Sequence, residues 1–291
     1  MLKKNLVRIG LFSPLLLLLF VVVTAMRKDP KSQDRKPFYI NWFYADTNQL
    51  LNDSSGSMLS TETYYANAPK ISLNKHASKF VKTFLVKEDE ALQKAKGRSA
   101  SYFKMMDGVL TKYGLPVELK YLAVVESDLK TSAVSRVGAK GLWQFMPETA
   151  RDLGLKITYK YDERTYAYKS TVAAAKYLKD LHAQFGDWLL VIAAYNSGPG
   201  PVLNAIKKSG SRNFWAIQYY LPEESRGHVK RFIGTHYFFE SKGSMVTLTK
   251  SETAKYLKEV ESFKSSIQTE MKKDSAIVAM TLATAEVFNT K

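Results

Sequence analysis

The segment from Trp188 to Tyr195, WLLVIAAY, carries no charged residue and is bounded by Gly186-Asp187 on one side and Asn196-Ser-Gly-Pro-Gly200 on the other. A helix that is apolar all round cannot lie on a surface, so it must sit at the centre of a fold with other elements around it. Whatever stands at its end is then held rigidly. That end is Ala194-Tyr-Asn-Ser-Gly-Pro-Gly200, a helix stop followed at once by a new start at Pro201.

The surrounding patterns are helical. From near Leu73, Phe80, Phe84 and Leu85 recur at helical spacing; a charged stretch, Lys87 to Lys96, follows; the pattern resumes after Gly97 with Tyr102, Phe103, Met106 and Leu110 and stops at Gly114. Pro147 to Gly154 is a short helix with proline at its start and glycine at its stop. A tyrosine-rich loop spans Tyr159 to Tyr168. Ser170 or Thr171 then caps a helix carrying Ala173, Ala174, Tyr177, Leu178, Leu181 and Phe185. A further helix runs to Phe239, and residues 243–291 form an amphipathic, helical C-terminal extension. Strand signal is nearly absent, so the expected fold class is mainly α.

The first 26 residues have a basic start (Lys3, Lys4, Arg8) and an uncharged apolar run from Ile9 to Met26, with Val23 and Ala25 where small residues precede a cleavage site. This is the layout of a signal peptide, and its length also suits a membrane anchor. The expected location is exported, in the periplasm, with membrane association through residues 9–26. Residues 27–74 are polar and irregular and read as a tether, interrupted by an aromatic patch (Phe38, Tyr39, Trp42, Phe43, Tyr44).

Among the 291 residues there is no cysteine, which excludes disulfides, a thiolate nucleophile and thiolate metal sites. The four histidines, His76, His182, His228 and His236, show no metal-ligand spacing, so no metal and no cofactor is expected. Residues 1–36 hold eight Lys/Arg against two Asp, a net +6 of the total +16, leaving +10 for the rest. An exported basic chain meets acidic envelope polymers or headgroups rather than nucleic acid. The sequence does not set an oligomeric state.

One carboxylate stands where a carboxylate should not. If Pro116 opens a helix, Leu119, Leu122 and Glu126 follow at i, i+3 and i+7 on one side of it. A carboxylate against an apolar wall is poorly solvated when ionised, which favours the protonated form that a general acid needs. The alternative is a buried glutamate paired with Arg or Lys. The Glu126 helix and the Trp188 to Tyr195 helix are expected to pack together as the centre of the fold.

Three segments, VESDLKTSAVSRVGAKGLWQFMP, AAYNSGPG and LPEESRGHV, with Tyr161-Asp-Glu-Arg and Lys169-Ser-Thr between the first two, resemble the lytic transglycosylases of peptidoglycan. The resemblance is to the membrane-bound murein transglycosylase D type and covers roughly residues 99–242, within a helical domain taken as 75–242. It implies a lysozyme-like helical domain with a cleft, Glu126 as sole catalytic acid/base, and Ser135, Gln144, Met146, Tyr195 and Asn196 lining the sugar site. Two positions depart from the family pattern. His228 stands where the family usually has a tyrosine that supports the acid, and Arg164-Thr-Tyr-Ala167 stands where it often has Arg-x-Asp-Pro. The residues after Lys242 show no lysin-motif repeat of the kind many relatives carry.

The implied reaction is non-hydrolytic cleavage of the bond between N-acetylmuramic acid and N-acetylglucosamine in peptidoglycan glycan strands, leaving 1,6-anhydro ends. The sugar's own C6 hydroxyl attacks C1, so one carboxylate replaces the pair that ordinary glycosidases use. Asp128 and Glu148 are assigned no catalytic part. The competing readings are a goose-type lysozyme-like hydrolase and a catalytically silent glycan-binding scaffold.

Overall fold

A computed structural model of the chain describes residues 67–289, with side chains through residue 273 apart from residue 271. The signal or anchor segment, the aromatic patch and the tether up to residue 66 lie outside the described residues. Among the described residues there is no strand, only the isolated bridges Val134–Lys140, Lys140–Phe145 and Ile157–Asp162, so the mainly helical reading holds. No described helix is long and apolar enough to cross a membrane.

Helix α1 (Lys75–Lys87) is capped by Asn74, whose side chain accepts from the His76 amide. Helix α2 (Asp89–Ser99) follows directly. The charged stretch that broke the apolar pattern is thus helical, and it runs through Gly97. Leu92 and Ala95 are buried beneath it, and Lys94 pairs with Glu90 one turn away at 2.5 Å. Helix α3 (Phe103–Lys112) ends at Tyr113 and Gly114.

The Glu126 helix is shorter than its apolar spacing suggests. Pro116 precedes a 3-10 turn, Val117–Lys120, and only Tyr121–Ser127 is α-helical (α4). Leu119 and Leu122 are nevertheless fully buried, so the face read from the sequence is real across the change of helix type. Helix α4 stops because Asp128 and Leu129 both take left-handed conformations, with φ of 51° and 62°. Leu129 drives its side chain into the core there, which offsets the cost of a conformation branched or bulky side chains avoid.

Helix α5 (Pro147–Asp152) has proline in its first turn, as expected. Helix α6 spans Ala167–Phe185, starting before the anticipated caps. Ser170 and Thr171 do not cap it: their hydroxyls bond back to the carbonyls of Tyr166 (2.9 Å) and Ala167 (2.7 Å), a local alternative that serine and threonine have inside helices.

Helix α7 (Trp188–Ser197) is the buried centre. Leu189 to Ala194 are all buried, and Asp187 caps the helix by accepting from the Leu189 and Leu190 amides at 3.0 and 3.2 Å. The other Asp187 oxygen accepts from the Lys250 amide at 2.6 Å, tying together two helix starts. Helix α8 (Pro199–Ser209) begins at Pro199 rather than Pro201, with Gly198 as N-cap. Helix α9 (Phe214–Ile217) and a 3-10 turn, Gln218–Tyr220, lead to α10 (Glu223–Glu240). After a 3-10 turn, Met245–Thr247, the chain ends in α11 (Lys250–Asn289), the anticipated helical extension.

Helix α7 packs against α6, α8 and α10, and α10 packs in addition against α1 and α4. Helix α10 borders both the Glu126 helix and α7, and the apolar residues of all three belong to one core. Gly234 lets α10 approach α1 closely, since a Cβ there would lie 2.6 Å from the Phe84 ring.

Candidate active site

Glu126 sits in the last turn of α4, its side chain 15% exposed, with Oε1 2.9 Å from Nε2 of His228. His228 comes from the second turn of α10 and is 2% exposed. Its Nδ1 is buried without a hydrogen-bond partner. The tautomer assigned from this network carries the proton on Nε2, which donates to Glu126 and leaves Nδ1 as a bare lone pair. That is the less costly way to leave a buried ring nitrogen unmatched, because no N–H goes unused.

Three more hydrogen bonds close a circuit around this pair. Ser225, one turn before His228 on α10, donates to Asn196 Oδ1 at 2.9 Å. Tyr195, beside Asn196 at the end of α7, donates to the Trp143 carbonyl at 2.7 Å. Ser127, next to Glu126 on α4, donates to the Leu142 carbonyl at 2.9 Å. Helix α4, the 133–146 loop, α7 and α10 are thereby joined in a ring, and Glu126 lies on it. Burial and the neighbouring Glu126 carboxylate push the Tyr195 hydroxyl well above the ordinary phenol range, so it remains a neutral donor.

The 133–146 loop is held by its own backbone and by a guanidinium beneath it. The Ser135 amide donates to Ala139 O (2.9 Å), the Gly141 amide to Ala133 O (2.9 Å) and the Lys140 amide to Phe145 O (3.1 Å). Arg164, 7% exposed, donates to the carbonyls of Gly138 (2.8 Å) and Phe145 (3.0 Å). Asp162 grips the same guanidinium from Nε (2.9 Å) and Nη2 (2.8 Å), and that hydrogen bonding holds the Asp162 carboxyl down at about 2. The loop and the Arg164 backbone approach so closely that only glycine fits at 141. A Cβ there would lie 1.9 Å from the Arg164 carbonyl oxygen, and φ is +85°. Tyr166, standing where the resemblance leads one to expect Asp, is 45% exposed and takes no part in this grip.

The remaining anticipated residues divide in two. Ser135 Oγ accepts from the Ala139 amide at 3.0 Å and keeps its hydroxyl proton free. Gln144, at φ 47°, commits Nε2 to the carbonyls of Gly141 (2.8 Å) and Ala133 (3.2 Å) and keeps Oε1 free. Asn196 keeps Nδ2 free. Each of these three is fixed by hydrogen bonds and still has a donor or an acceptor without a partner among the described residues. Met146, 37% exposed at the start of α5, stands outside the circuit.

Asp128 faces Lys130 at 3.1 Å, Glu148 is exposed, and Glu126 is the one carboxylate of the circuit. No group of His, Asp and Glu among the described residues is arranged to hold a metal ion. Sequence reasoning missed Ser127, Ser225 and Arg164 as parts of the site. Ser225 lies one turn before His228, and that spacing is the signal that could have found it.

Residues 108–218 match the family model described as Transglycosylase SLT domain. The chain is similar in sequence to lytic transglycosylases. It is 40% identical over 141 residues to membrane-bound lytic murein transglycosylase D of Escherichia coli K12, covering 47% of this chain and 31% of that protein. It is 33% identical over 117 residues to peptidoglycan transglycosylase gp16 of Escherichia phage T7, covering 40% of this chain and 9% of that one. The chain thus spans about a third of the length of the transglycosylase D relative. Among solved structures, the 70 kDa soluble lytic transglycosylase Slt70 of Escherichia coli matches 49% of this chain and 25% of its own, at 26% identity and a TM-score of 0.42.

Proposed function

We propose that this chain is a peptidoglycan lytic transglycosylase that cleaves the bond between N-acetylmuramic acid and N-acetylglucosamine and leaves 1,6-anhydro ends, acting in the periplasm. The observation that carries the reading is the hydrogen-bonded circuit, which presents one carboxylate and no second one.

With Nε2–H of His228 on Oε1, the other oxygen of Glu126 is free to carry the catalytic proton. Glu126 protonates the glycosidic oxygen as the bond to C1 breaks, and the leaving sugar departs as an alcohol. The positive charge at C1 and its ring oxygen is relieved when the C6 hydroxyl attacks C1. Glu126, now a carboxylate, takes the hydroxyl proton and returns to its starting state, with no water consumed. His228 keeps one carboxylate orientation through both transfers. Ser135, Gln144 and Asn196 offer a donor, an acceptor and a donor to sugar hydroxyl and acetamido groups, and Met146 supplies an apolar edge of the binding wall.

The test is digestion of purified sacculi by the full chain, with the released muropeptides identified by mass. Anhydro products are expected. Products with reducing ends instead would establish a hydrolase of the goose-type lysozyme kind, and no products with retained binding would establish a scaffold. Glu126→Gln preserves shape and removes the proton donor, so anhydro product release should fall by roughly 10²–10⁴-fold while folding and glycan binding persist. Activity within about tenfold of the parent would remove Glu126 from the mechanism.

A further inference from the structure

Helix α10 carries three cations, Arg226, Lys230 and Arg231, that pair with no carboxylate among the described residues. Arg226 and Lys230 are one turn apart and so share a face of the helix, and both are half-buried. Neither makes an ion pair or a side-chain hydrogen bond among the described residues. Glu223, on the same face one turn earlier, pairs with neither. Burial first, and then the Arg226 charge, push the Lys230 amine below its ordinary value. Two like charges in this relation repel, and burial adds to the cost.

The Arg226 guanidinium lies 5.9 Å from the centre of the Tyr219 ring, which is itself 74% exposed, with Tyr220 beside it 53% exposed. Contact with an aromatic face holds the guanidinium in place while leaving its N–H edge unused. An exposed ring, a fixed N–H fork and a neighbouring ammonium are what a carboxylate ligand requires.

The location narrows the source of that carboxylate. Ser225 and His228 on the same two turns hold Asn196 and Glu126. A helix turns about 100° per residue, so Arg226 points to the opposite flank from His228, about one helix diameter away, ~10–12 Å. Three extended peptide residues span about 10 Å. We propose that Arg226, Lys230 and Tyr219 form a recognition site for a carboxylate of the peptide stem attached to the glycan strand. The site reads whether the strand still carries its peptides. It rests on the transglycosylase reading for the identity of the strand.

The test measures binding in the Glu126→Gln background of the full chain, so that turnover does not interfere. Two ligands are compared: glycan strands with peptide stems, and the same strands after enzymatic removal of the stems. The expected result is a preference of roughly 10–100-fold for the peptide-bearing strands. Arg226→Gln with Lys230→Gln should abolish the preference, and Arg226→Lys with Lys230→Arg should retain much of it. Circular dichroism and melting curves establish that each variant is folded. Equal affinity of the Glu126→Gln chain for both strands, or a preference that survives the double glutamine change, overturns the proposal. So does a double variant that keeps the preference and instead loses binding to vesicles containing anionic phospholipid, since the cations would then serve a membrane surface. Product release by the parent from stem-free strands reports on the transglycosylase reading separately.

Discussion

At Glu126 the neighbour that matters is His228, 102 residues away in sequence and 2.9 Å away in space. Replacing His228 by Phe fills the space and deletes the donor, leaving a half-buried carboxylate without its partner; the expected cost is roughly 10–100-fold in kcat with KM little changed. His228→Tyr returns an O–H donor and should recover most of that loss. A His228→Tyr rate no better than that of His228→Phe would show that a donor at this position does not orient Glu126. Leu119, Leu122 and Glu126 shared a face in the sequence; the identity of the group opposite Glu126 was not legible, because nothing local records which α10 residue meets it.

Helix α4 is anchored at its end by an element outside the matched domain segment. Arg98, in the last turn of α2, donates from Nε to the Asp128 carbonyl at 2.8 Å, where the chain makes its two left-handed steps after the Glu126 helix. A polar cavity of about 250 Å³ opens beside this contact, lined by Glu90, Lys94, Asp128 and Lys130 among others, so the bond is reachable by water. Arg98→Met keeps the aliphatic stem and removes the bond. Melting should shift little, corresponding to about 1 kcal/mol, while kcat falls more than stability alone accounts for, since small displacements of a reacting group are costly. Equal kcat for the two proteins would show that α4 is fixed by packing alone. Element existence was legible for α7, from its lack of charge, and for α3, α5 and α6, from their spacing. Their starts were less legible. Ser170, Thr171 and Pro201 all carried helix-start signals, yet α6 and α8 begin earlier because tertiary contacts favour the longer helix.

At the scale of the whole molecule, one buried histidine makes folding sensitive to acid. His236 is fully buried on α10, its Nε2 2.8 Å from Ser244 Oγ, and burial pushes its pKa down to about 4 despite the attraction of Glu240. In the unfolded chain an ordinary histidine binds its proton near pH 6.5. Between about pH 6.5 and 4 the unfolded state therefore holds the extra proton, and folding stability declines as pH falls through that window, by about 3 kcal/mol in all. His236→Gln keeps a polar partner for Ser244 and does not titrate. Its melting temperature should fall less steeply than the parent's over the same window, and parallel curves would assign the acid sensitivity to other groups.

The sequence by itself determined the helical class, the central place of the uncharged Trp188 to Tyr195 segment, and the apolar face on which Glu126 stands, because these are properties of local spacing and charge. Tertiary structure alone decided that α10 borders both α4 and α7, and that Ser127, Trp143, Tyr195, Asn196, Ser225 and His228 complete a ring around the carboxylate. It also decided that Arg164 sits beneath the 133–146 loop at a distance only glycine at 141 permits. Hydrogen bonds between residues far apart in the chain depend on how helices pack, and packing is set by the shapes of whole faces rather than by the spacing within any one of them.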